Sequence, residues 1–168
     1  MSLSGRLTRI LPLLLILAAC AAVPVTAQTI LLAVRDSANG VALAPPLPTR
    51  EGIAGSLFDS GFIVFDVPVD AARGAGDLIG LARSAGADLV LDARGLYTDR
   101  ALGGGLVRVS VSVSFTLTDA ASGVVKAKGE EKADNARREK LIDRTALGME
   151  IGRALSARVS AAVGPASR

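Results

Sequence analysis

The hydrophobic pattern divides the chain into alternating strand and helix segments. Thr29–Arg35 (TILLAVR) is a continuous apolar run, as expected of a central strand covered on both faces. Asp36–Pro48 holds Asn39-Gly40 and three prolines and reads as a loop. Thr49 can cap a helix through Ser60, with Glu51 in its first turn and Ile53, Ala54, Leu57 and Phe58 on one face. Gly61 is placed to stop it. Phe62–Val67 is a second apolar strand, ended by Pro68. A second helix can begin at Asp70, weakened by Gly74 and Gly76. Its firm part is Asp77–Ala85, burying Leu78, Leu81, Ala82 and Ala85 and stopped by Gly86. Asp88–Tyr97 is a third strand, and Leu102–Gly105 a glycine-rich turn.

The clearest local signal follows. Val107, Val109, Val111, Val113, Phe115 and Leu117 alternate with Arg108, Ser110, Ser112, Ser114, Thr116 and Thr118. That is a long strand with one buried and one polar face. Asp119–Gly123 is a hairpin turn. Val124–Lys132 returns as a charged edge strand. The last helix is expected from Asn135 to Val163, with Leu141, Thr145, Gly148, Gly152, Leu155, Val159 and Val163 in one stripe. Gly148 and Gly152 are expected to let it lie close to the sheet. The element order is β-α-β-α-β-β-β-α. It predicts an α/β (α+β) domain: a mixed five-stranded sheet with three parallel strands, an antiparallel hairpin and helices packed on it.

Before these elements stands a targeting pattern. Arg6 and Arg9 are the only charges ahead of the apolar run Ile10–Val23, as in a secretory signal peptide. Two cleavage signals compete at its end. Leu17-Ala18-Ala19-Cys20 is a lipobox-like sequence, in which Cys20 would carry lipid and residues 1–19 would be removed. Val25-Thr26-Ala27 is an ordinary site, with cleavage after Ala27 and a signal of residues 1–27. Either way residues 28–168 form a single globular domain, exported to the periplasm or held at the outer membrane. No later stretch approaches the roughly 18 apolar residues of a membrane span, so membrane attachment is expected only through Cys20.

Composition narrows the chemistry. From residue 28 onward there are 17 basic and 16 acidic residues, which offers no electrostatic case for nucleic acid. Aromatics are 3% of the chain, so the core must be aliphatic. There is no histidine, which removes serine–histidine triads, histidine metal sites and the usual general base. A lone cysteine offers neither a disulfide nor a zinc site. Gly103-Gly104-Gly105 lacks the Gly-Lys-Ser/Thr of a phosphate loop, and Gly74-Ala75-Gly76-Asp77 lacks a third glycine at the right spacing. Asp66 and Asp70 read as solvated turn residues. No catalytic residue, metal site or cofactor is expected. The loops beyond the carboxyl ends of the parallel strands should instead bring Arg35, Asp36, Asn39, Arg73, Tyr97 and Arg100 to one rim, the candidate partner-binding surface.

Three segments carry a family resemblance: TILLAVR, LARSAGADLVLDARG, and the strand-turn-strand VSFTLTDAASGVVKAKG followed by a long helix. With these the chain resembles the bacterial envelope superfamily of the curli-secretion lipoprotein CsgG, the penicillin-binding-protein activator LpoB and the TolB N-terminal domain. The resemblance implies a non-catalytic accessory module that binds envelope proteins or forms a homo-oligomer. Long amphipathic segments for a membrane barrel are not found here, unlike in the pore-forming member. Ala21, rather than aspartate, follows Cys20, which by the same resemblance implies the outer membrane for an anchored form. A periplasmic hydrolase or a small-ligand-binding protein are the competing readings.

Overall fold

The computed structural model describes residues 27–67, 74–104, 106–135 and 144–164. Its elements are β1 (Thr29–Ala38), β2 (Val41–Ala42), α1 (Pro48–Asp59), β3 (Ile63–Asp66), α2 (Ala75–Ala85), β4 (Leu89–Gly103), β5 (Leu106–Asp119), β6 (Val125–Asp134) and α3 (Arg144–Val163). The sheet runs β2-β1-β4-β5-β6, and β3 also pairs with β1. β1, β3 and β4 are parallel, while β5 and β6 are antiparallel additions. The chain steps from β1 outward to β3, then back across β1 to β4. Right-handed crossovers in opposite directions put α1 and α2 on opposite faces.

One face is fully covered. Ile30, Leu32 and Val34 of β1, Leu89, Leu91 and Ala93 of β4, and Val109, Val111, Val113, Phe115 and Leu117 of β5 pack there against α1 and α3. The alternation in β5 thus faces the way its sequence predicts. Among the described residues the other face is covered only near its start. There Leu31, Ala33 and Val90 meet Leu78 and Ala82 of α2. Gly86 stops α2 in the left-handed conformation (φ 70°), as expected.

Four expectations are corrected. The Asp36–Pro48 loop contains strand: β1 continues to Ala38 and turns at Asn39 (φ 49°) and Gly40 (φ 84°) into β2. Both turn residues have positive φ, the geometry an Asn-Gly pair favours, and this adds a sixth strand. Phe58 is not on the buried face of α1; it is 72% exposed, and Thr49, Gly52, Ile53 and Leu57 are the buried residues. Asn135 does not open the last helix. It closes the β5–β6 ladder, its N–H donating to the Val109 carbonyl (3.0 Å) while its side-chain oxygen accepts the Val109 N–H (2.6 Å). Leu141, at the head of the predicted stripe, lies outside the described residues.

The fourth correction concerns the glycines. Gly148 and Gly152 do not face the sheet. A side chain at Gly148 would collide with the Pro48 carbonyl, and one at Gly152 with the Gly52 carbonyl, 2.9 Å from the Ile53 nitrogen. Gly52 in turn faces Gly148, so α1 and α3 cross backbone against backbone through three glycines. Periodicity had identified the buried stripe but not its neighbour.

On the open face Ser112 stands opposite Leu96, which is 49% exposed, and its hydroxyl donates to Glu130 on β6. Ser112→Val should change stability by no more than about 0.5 kcal/mol. It should instead enlarge the apolar patch around Leu96 and promote self-association. Thermal melting with sedimentation velocity checks both; a large loss of stability would mean that this face is buried.

A closed polar cluster at the carboxyl end of the parallel strands

The sequence predicts an open rim here, and the structure shows a sealed cluster. β1 and β4 are paired through Asp36↔Gly95 and Ala38↔Tyr97. Asp36 stands two and four residues beyond Val34 and Leu32, and Tyr97 four beyond Ala93. Both therefore point to the covered face. Asp36 is 4% exposed and Tyr97 fully buried.

Their partners come from both helices. α1 begins with Pro48 at a position where the missing N–H costs nothing. Its N-cap, Leu47, makes no side-chain cap bond, and Asp36 fills that role from β1: the Thr49 N–H donates to Asp36 Oδ2 at 3.0 Å. The negative charge stands at the positive end of the helix dipole. The buried Thr49 hydroxyl shares a 2.9 Å hydrogen bond with the Tyr97 hydroxyl. Gly95 makes the room, because a Cβ there would strike Asp36 Oδ1 and lie 2.8 Å from Thr49 Oγ1. Arg144, opening α3, sits 5.9 Å over the Tyr97 ring and donates to Asp99 Oδ2 at 2.5 Å. The cluster thus ties α1 and α3 to the sheet.

Burial raises the Asp36 carboxyl above its ordinary value, and the Thr49 hydrogen bonds offset only part of that. Burial likewise pushes the Tyr97 phenol up to about 12, against the hydrogen bond from Thr49. Asp36 Oδ1 has no hydrogen-bond partner. These groups are held by helix capping and packing.

The other candidates are dispersed. Arg35 points to the opposite face and pairs with Asp92 at 3.3 Å. Asn39 forms the β1–β2 turn, its side-chain oxygen accepting the Asp99 N–H at 3.2 Å. Arg100 is exposed on β4, beyond the cluster. Arg73, Asp70 and Cys20 lie outside the described residues; Ala27 is half-buried just before β1. Thr49, Gly95, Asp99 and Arg144 were missed as cluster members. Gly95 did leave a signal, since an isolated glycine inside a strand marks close approach by another group.

A cleft of about 790 Å³ lies at the opposite pole, beside Gln28. Its polar groups serve local structure. Arg83 donates to the carbonyls of Ala120 (2.6 Å) and Ala121 (2.9 Å), and Asp88 accepts the Thr29 N–H (2.8 Å). Asp119 accepts from Ser122, which holds its carboxyl below the ordinary value. Asp66 pairs with Arg50 at 2.9 Å, and the Gly74 N–H donates to Asp77 at 3.2 Å. Among the described residues no three acids, histidines or cysteines converge as metal ligands, and no helix is long and apolar enough to cross a membrane.

The architecture is a small mixed α/β sheet with two helices crossing on its covered face, and it is shared with solved bacterial proteins. One is PelC from Paraburkholderia phytofirmans, a dodecamer: 18% identity, TM-score 0.53, covering 79% of this chain and 89% of that one. The hypothetical protein CT253 from Chlamydia trachomatis matches at 17% identity and TM-score 0.54, covering 82% and 98%. Lipoprotein GNA1162 from Neisseria meningitidis matches at 18% identity and TM-score 0.50, covering 79% and 99%. The LpoB C-terminal domain from Salmonella enterica and TolB from Acinetobacter baumannii also match, at lower TM-scores of 0.46 and 0.43. No protein-family model and no curated protein matches the sequence.

Proposed function

We propose that this chain is a non-catalytic module of the bacterial cell envelope that binds or assembles with other envelope proteins, as the superfamily of CsgG, LpoB and TolB implies. The observation that carries this reading is the half-covered sheet. Among the described residues, the second face beyond α2 presents Arg94, Leu96, Ser110, Ser112 and Ser114, bordered by the charged edge of β6, which pairs there only with β5. A polar face with an apolar spot beside an unpaired edge suits a protein partner better than a small molecule. PelC, which shares the fold, is a dodecamer, so a second copy of this chain is one such partner. The test is the size of the particle that carries the chain when it is released from the envelope: a stoichiometric complex is expected. Turnover of an envelope polymer, lost on changing one carboxylate, would overturn the reading.

The anchor belongs to the same proposal. With lipid on Cys20, the mature mass begins at Cys20 plus acyl chains, and Cys20→Ser releases the protein from membranes. A mature N-terminus at Gln28, read by mass spectrometry, would rule the anchor out and leave a freely periplasmic module.

A further inference from the structure

We infer that β3 is the seam of a two-fold dimer, in which it pairs antiparallel with β3 of a second copy of this chain. The contact lies apart from the second face and the β6 edge, so it goes beyond the proposed module function and does not rest on it. In a parallel pair every second residue turns both its backbone groups to the neighbouring strand. In β3 those are the odd residues: the Ile63 N–H donates to the Gln28 carbonyl at 3.0 Å and the Val67 N–H to the Leu32 carbonyl at 3.2 Å. Val64 and Asp66 therefore direct their N–H and C=O groups outward, and among the described residues β3 pairs only with β1.

The two edges of the sheet differ in their side chains. β6 carries Lys126, Lys128, Glu130 and Lys132, charges of the kind that keep an edge unpaired. Asp66 is the one charge of β3, and Arg50 neutralises it at 2.9 Å. Ile63 and Phe65, 48% and 42% exposed, lie on the α2 side of the strand, in register with Thr29 and Leu31. On the other side the α1 row Arg50, Ala54, Phe58 runs over β3, fixed by the Arg50–Asp66 bridge, and ends on the exposed Phe58. Two of the chain's four phenylalanines are thus exposed along one edge. With Ile63 they present on the order of 300 Å² of apolar side chain, the size at which a surface patch marks an interaction site.

This edge is complementary to itself, as a two-fold contact requires. Antiparallel pairing centred on Val64 makes Val64 and Val64 of the second copy a hydrogen-bonded pair that exchanges the outward N–H and C=O groups. Ile63 then opposes Phe65 of the second copy, and Phe65 opposes Ile63, as non-hydrogen-bonded pairs, whose side chains stand closest. An aromatic against a β-branched residue is a favourable cross-strand pair. The same axis sets Ala54 against Ala54, small enough for the two α1 helices to approach, and Phe58 against Arg50 of the second copy, a cation–π pairing.

Disulfide trapping tests this register. Full-length Ile63→Cys and Phe65→Cys chains with different tags are co-expressed and treated with a mild oxidant; the unsubstituted chain, with Cys20 alone, gives the background. A cross-linked dimer holding both tags is expected. Each variant expressed alone should give about tenfold less, because its two cysteines are diagonal neighbours roughly 7–8 Å apart, at the limit of disulfide reach or beyond it. Equal trapping in a single variant, no mixed dimer, or capture of a different protein at Ile63→Cys would each overturn the seam. Sedimentation velocity on the purified chain is the second measurement. A dimer is expected, weakened about tenfold or more by Phe65→Lys, with the far-ultraviolet circular dichroism unchanged because Phe65 is already partly exposed. A dimer indifferent to Phe65→Lys would overturn the proposal, and so would loss of fold in that variant, since Phe65 would then serve the core. A monomer that still binds another envelope protein would remove the seam and leave the module function standing.

Discussion

Gly152→Leu should destabilise the domain by about 3 kcal/mol or more, a fall in melting temperature on the order of 10 °C. The reason is the helix crossing. A side chain at residue 152 meets the Gly52 carbonyl and the Ile53 nitrogen, atoms of a backbone already committed to hydrogen bonds within α1. No rotamer change relieves that contact, so α1 and α3 must separate. Separation would loosen Ile53, Leu57, Leu155 and Val159, all buried in the core both helices share. Gly55→Ala is the matched control. It lies on the same α1 helix, and an added Cβ there meets nothing within 4 Å. It should be neutral or stabilise by up to about 1 kcal/mol through helix propensity. Equal effects from the two substitutions in thermal melts would refute the close crossing.

The second large effect is at high pH. Tyr97 ionises near 10 in an unfolded chain and is held up to about 12 by burial in the folded one. A raised acid pKa means that the folded state binds the proton more tightly. Its contribution is fully present below pH 10 and is lost as the pH climbs through about 12. That loss is on the order of 2 kcal/mol. Tyr97→Phe should flatten this limb of the stability curve. At neutral pH it should cost about 1–2 kcal/mol, because the buried Thr49 hydroxyl loses its partner. The chain has one tyrosine and no tryptophan, so phenolate absorbance reports on Tyr97 alone. Titration near 10 in the folded protein would contradict the sealed cluster.

Much of the fold was legible because it rests on local signals. The β5 alternation named its buried face residue by residue, and Gly61 and Gly86 marked two helix ends with positive φ. What periodicity could not supply was the neighbour of a buried stripe. Gly148 and Gly152 were read as inward-facing, which they are, but what they meet is the α1 backbone, at Pro48 and at Gly52, far away in sequence. The rim failed for a related reason. A strand's end was placed where its apolar run stopped, at Arg35 and at Tyr97, whereas backbone pairing carries β1 three residues and β4 six residues further. Period two along β4 already put Tyr97 on the side of Leu91 and Ala93; the assumption of a loop hid it. Asp36 was hidden by its charge, since helix capping by a carboxylate from a distant strand leaves no mark in a local window.

The central claim, a binding module rather than an enzyme, is tested most directly by crosslinking the intact envelope and measuring the size and composition of the species that contains this chain. The account predicts one discrete complex of fixed stoichiometry, made of envelope proteins or of several copies of this chain. A free monomer before and after crosslinking would contradict it.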